Sequence, residues 1–137
     1  IDSTGPVVVA GSISATTTIT SSGAASGIGY ATGAGGTVTQ ATDKATGVTL
    51  STVTGEITMN GAALAGDTAV TFTLTNTAIA AADHVLISHD SAGTAGSYVV
   101  VATSAAGSSA ITVRNITTGS LSEAIVLKFS VFKSATA

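Results

Sequence analysis

Run after run of this chain sets an apolar side chain at every second position and a hydroxyl in between. Val70, Phe72 and Leu74 alternate with Thr71, Thr73 and Thr75, and Ile125, Leu127, Phe129 and Val131 line up in the same way near the end. Successive side chains of a strand point to opposite faces, so this period predicts half-buried strands and little else. Val48 and Leu50 alternate with Thr49 and Ser51, and Ile111 and Val113 continue the pattern. Residues 85–87 and 98–102 are apolar at every position, which predicts strands that lie centrally or at a subunit contact. Loops are expected at Asn60-Gly61, residues 91–96, Gly107-Ser108 and Thr118-Gly119. Thr54-Gly55 reads as a tight turn leading into Ile57 and Met59, closing a hairpin. Residues 78–82 allow one helical turn at most. About seven strands at this spacing predict an all-β head over residues 37–137, an antiparallel β-sandwich of jelly-roll type.

Residues 1–27 have a different character. Val7, Val9, Ile13 and Ile19 fall on one face of a period-2 pattern, and hydroxyls dominate the other after Val8. Such a segment cannot cover its own apolar face, because even an isolated hairpin is marginal in water. The expectation is an intertwined β-stalk made with the same segment of sister chains; an edge strand on the following domain is the alternative. Residues 28–36 form a Gly-rich connector between stalk and head. Because the chain opens on isoleucine, it reads as a piece from which an upstream segment is missing.

Charge supports association. Charged residues are 8 % of the chain, against roughly 25 % in an ordinary soluble domain. A monomer so poor in charge is badly defended against self-association, and neutral small side chains suit contacts between identical chains. The predicted trimer contacts are Val7, Val9, Ile13, Ile19, Val85 and Ile87. With four basic and seven acidic residues there is no basic patch for nucleic acid, and no apolar run approaches a membrane span. No charged segment precedes an apolar stretch, so no signal peptide is expected. With no cysteine, disulfides and thiolate chemistry are excluded.

Chemistry-bearing motifs are sparse. Residues 27–33, GIGYATG, have the glycines of a phosphate loop, but a strand-like TVTQ follows where a helix N-terminus is needed. His84 and His89, beside Asp83 and Asp90, are the candidate metal ligands. Five positions apart, they fall on opposite faces of one strand and cannot chelate together; only a histidine from each of three chains on a threefold axis would serve. Asp43, Glu56, Asp67 and Glu123 stand alone in sequence, and no Gly-x-Ser-x-Gly elbow appears, so no catalytic residue and no cofactor are expected. Arg114, the one arginine, suggests a buried or interfacial ion pair; Lys128 and Lys133 read as solvated gatekeepers against edge pairing. Asn115-Ile116-Thr117 matches a glycosylation acceptor but lies in an expected strand.

Two stretches resemble bacteriophage structural proteins. Residues 11–23, GSISATTTITSSG, are similar to the repeats of trimeric tail-fibre shafts. Residues 27–40, GIGYATGAGGTVTQ, with TGVTL at 46–50, ITMN at 57–60, AITVRN at 110–115 and GSLSEA at 119–124, resemble a recurrent C-terminal module of phage virion proteins of tail-fibre or head-fibre type. The resemblance implies a virion location and a threefold shaft carrying a β-sandwich head. It implies a virion part more strongly than it implies which part. With no clustered chemistry in the chain, the leading reading is a non-enzymatic role in host attachment, with a surface polysaccharide or outer-membrane protein, or other virion proteins, as partner. Ser91, Thr94, Ser97, Ser108 and Ser109 are the candidate receptor-loop residues. A capsid-decoration or head-fibre protein is the second reading, and a polysaccharide depolymerase the third.

Overall fold

The computed structural model describes residues 7–11 and 13–135. No described residue before Gly35 lies in a strand. After it come β1 (Gly35–Thr39), β2 (Val48–Thr49), β3 (Thr54–Thr58), β4 (Ala69–Thr75), β5 (His84–Ser91), β6 (Tyr98–Ala105), β7 (Ser108–Asn115) and β8 (Val126–Phe132). They form two four-stranded sheets, β1-β3-β8-β5 and β2-β4-β7-β6. Among the described residues no helix forms: residues 78–82 pass through two successive turns.

The sheets are mixed, where antiparallel ones were expected. β1 runs parallel to β3, and β2 parallel to β4; the remaining pairs are antiparallel. Among the described strands only β6 and β7 are joined as a hairpin, through a turn with Gly107 at φ 74°. Every other link carries the chain from one sheet to the other, so both sheets close over one core. Ile57, Leu127, Phe129 and Val131 enter it from the first sheet, and Phe72, Leu74, Ile111 and Val113 from the second.

Gly55 is not at a turn. It is a buried residue of β3, and Val48 and Ile57 lie in different sheets, so the expected hairpin does not form. A Cβ on Gly55 would stand 2.7 Å from Gly36 O and 2.8 Å from Leu50 Cδ2. The glycine is there because β1 and Leu50 approach closely. The connector also ends earlier than its sequence suggests, since Gly35 and Gly36 already pair with Thr54 and Gly55.

Ahead of the sheets, Val7, Val8, Val9, Ile13 and Ile19 are exposed. Tyr30 ties this leading part to the head through a hydrogen bond from its hydroxyl to Val131 O.

Candidate functional site

The densest polar arrangement joins the loop after β5 to the segment before β8. A bulge between His89 and Ser91 leaves Asp90 without a backbone register partner in β8. The loop then turns sharply, with Ala92, Gly93 and Gly96 at φ 58°, 68° and 78°. Gly93 has no alternative, because a Cβ would lie 2.6 Å from Ile125 Cγ2 and 2.8 Å from Glu123 Oε2.

Glu123 fastens this loop. Its Oε2 accepts from Thr94 N at 3.0 Å and from Tyr98 Oη at 2.8 Å, and Oε1 accepts from Thr94 Oγ1 at 2.6 Å. The Thr94 donors, then the Tyr98 hydroxyl, hold the Glu123 carboxyl below the usual carboxylate range. Burial, reinforced by Glu123, raises the Tyr98 phenol well above its ordinary value. His89 stands edge-on to Tyr98, ring centroids 5.6 Å apart, with Nε2 2.6 Å from Ala92 O. A carbonyl only accepts, so Nε2 carries the proton. Beneath, Lys44 is buried and its ammonium donates to Asn60 O at 2.6 Å and Glu123 O at 2.5 Å. Burial lowers its pKa against the pull of Glu123.

Between His89, Asp90, Ala92, Gly96 and Tyr98 opens a cleft of about 250 Å3. Pockets for drug-sized ligands measure roughly 300–1,000 Å3. A general acid needs a raised carboxyl pKa. Glu123 is shifted the other way and its oxygens are engaged, so the cluster is built to hold the loop in one shape.

The predicted receptor residues divide. Ser91 and Thr94 are exposed here, Thr94 as part of the Glu123 latch. Ser97 is buried. Ser108 and Ser109 are not loop residues: they begin β7, and Ser109 is fully buried with Oγ donating to Thr103 O at 3.2 Å. Serine reads as loop, but Ser109 shares the inward face with Ile111 and Val113.

The strand placements also differ from expectation. Val85 and Ile87 pack on the chain's own core, and Leu86, 59 % exposed, is the large apolar side chain β5 offers outward. His84 faces out and His89 in, as their spacing requires. Among the described residues no group of three His, Asp or Glu could hold a metal ion.

The isolated charges of the sequence are paired in space. Arg114 meets Asp67 at 2.9 Å on the surface, so it makes an exposed pair instead of a buried one. Lys128 sits in β8, between β3 and β5, and bridges Asp90 at 3.0 Å and Glu56 at 3.3 Å; it guards no edge. Asp90, then Glu56, holds its ammonium above the ordinary lysine range. Lys133 meets the buried Asp83 at 2.7 Å. Asn115 is fully buried, its amide donating to Leu64 O, Ala65 O and Gly119 O, so the glycosylation motif is sealed in the fold.

Sequence reasoning missed Glu123, Tyr98 and Lys44 as partners. They come together only when the loop after β1, the start of β6 and the segment before β8 pack, and no local spacing signals it. Comparison with known protein families, curated proteins and solved structures finds no match.

Proposed function

We propose that the chain is a non-enzymatic component of a bacteriophage virion fibre. It acts as a homotrimer, with β-sandwich heads of jelly-roll type on a short intertwined stalk and exposed loops that attach to the host surface. One observation carries the reading. The head buries Ile57, Leu74, Ile111 and Leu127 completely, yet Val7, Val8, Val9, Ile13 and Ile19 ahead of it are 47–89 % exposed. Fully burying one such side chain is worth roughly 1.5–3 kcal/mol. Several left in water together make a surface that seeks cover, and identical strands from sister chains supply it in register. The resemblance of residues 11–23 to trimeric shafts and of the later segments to a virion module supports the same assignment.

Within the head, the loop at residues 91–96 is the best candidate for contact with a receptor. It is exposed along its length, and the Glu123 latch fixes its shape. A loop held rigid loses little conformational freedom on binding. Three weak sites on one particle reinforce each other by avidity.

The test is competition. The purified chain, added in excess to host cells, is expected to bind them and to slow adsorption of the phage that carries it. A chain that neither binds nor competes overturns the attachment role. Antibody labelling that marks the capsid and not the tail tip would reassign the chain to capsid decoration, and loss of capsule polymer on incubation would reassign it to a depolymerase.

A further inference from the structure

The outward side chains of β4, β7 and β6 form a regular array. Across the sheet they read Ala69, Arg114, Val99; then Thr71, Thr112, Val101; then Thr73, Ala110, Thr103; then Thr75, Ser108, Ala105. One of these positions is charged. It stands in the end row of the array, on the central strand β7, and Asp67 neutralises it at 2.9 Å. The hydroxyls of Thr71 and Thr112 bond to each other at 2.8 Å, so each satisfies the other within the face. Val99 and Val101 are 47 % and 54 % exposed. The other sheet differs: its outer face carries the Glu56–Lys128–Asp90 charges across its middle.

We infer that this outer face of the β2-β4-β7-β6 sheet is a self-association surface, covered in the assembly by another copy of the same chain. The inference rests on the trimer proposed above and adds a second contact to it. β6 is an edge strand of eight residues with no charged side chain. Proteins that stay apart protect such edges with lysine, proline or a bulge. The face has nothing to offer a charged partner: neither a basic stripe for nucleic acid nor an acidic patch for a basic peptide. A neutral face set against its own copies meets no like-charge repulsion, and every assembly supplies the copy at equal stoichiometry.

Size decides how the contact works. Three strands of seven or eight residues, at roughly 4.8 Å spacing and about 3.4 Å rise, give a patch on the order of 400 Å2. A stable specific interface takes about 800 Å2 per partner. The face supplies about half, so it acts together with the leading segment.

The experiment measures the mass of the full chain by light scattering over a dilution series. Val101→Lys and Thr73→Lys place a charge on this face, and Ser88→Lys places one on the opposite sheet. Circular dichroism checks the strand content of each. The expected result is that the parent and Ser88→Lys stay as three chains. Val101→Lys and Thr73→Lys fall to single chains at concentrations at least tenfold higher than the parent does, with strand content unchanged. Should Val101→Lys lose its strand content, Thr73→Lys decides. The inference is overturned if the charged variants hold together as the parent does, or if Ser88→Lys falls apart equally. A parent that is itself a single chain defeats the trimer reading along with it.

Discussion

Asn115 illustrates how a single polar side chain organises this protein. It is fully buried, its amide donates to three carbonyls, and its Oδ1 accepts from Thr117 N at 3.0 Å and Thr117 Oγ1 at 2.8 Å. Asn115→Ala leaves several buried groups without partners and is expected to cost about 2–3 kcal/mol, read as a lower denaturant midpoint. Its neighbours in sequence suggest a glycosylation acceptor; only the fold shows a fastener. Glu123 and Asp83 give a dependence on pH. Thr94 and Tyr98 lower the Glu123 pKa, and Lys133, then Ala80 N, lowers that of Asp83. Folded values below the unfolded ones stabilise the fold above the ordinary carboxylate range, roughly pH 4, and that contribution is lost as pH falls through the folded values. The melting temperature is expected to drop below about pH 4. Glu123→Gln, which removes one of the two carboxylates, is expected to make that drop shallower. An unchanged profile in that variant would show that the latch does not hold the loop. Neither carboxylate could be assigned this role from sequence, since Glu123 and Thr94 are 29 positions apart.

At the scale of elements, the strands that could be read are those whose alternation serves one face. β4 and β8 follow the threonine or apolar period directly, because each sets one row on the core and one outside. β5 and β6 were legible as strands but not in their facing. Leu86, Val99 and Val101 point outward although they are apolar, so hydrophobicity alone could not tell the two sides apart. The starts of β1 and β3 were misread because glycine stands for two different needs. At Gly107 it takes a positive φ in a turn, and at Gly55 it admits the neighbouring strand. Gly55→Ala is therefore expected to destabilise by roughly 1–3 kcal/mol, as overpacking does, with its damage centred on the β1–β3 pairing. Amide exchange would show this as lost protection in residues 35–39 ahead of β4 and β7. Uniform loss across both sheets would place the strain elsewhere.

For the molecule as a whole, the low charge of the chain is unevenly spread. One sheet carries an ion triad across its outer face, the other is neutral save for one ion pair at its end row, and the leading segment exposes branched aliphatics. Contacts of the neutral kind do not depend on screening. The assembly is expected to keep its mass from 0.05 to about 1 M salt, where the Debye length shrinks to roughly 3 Å. Dissociation as salt rises would point instead to ion pairs between chains. The central claim is that sister chains cover what one chain leaves exposed, and native mass in solution tests it most directly. The prediction is a particle of three 13.0 kDa chains at micromolar concentration. A stable single chain, with residues 7–19 packed on its own head, would contradict it.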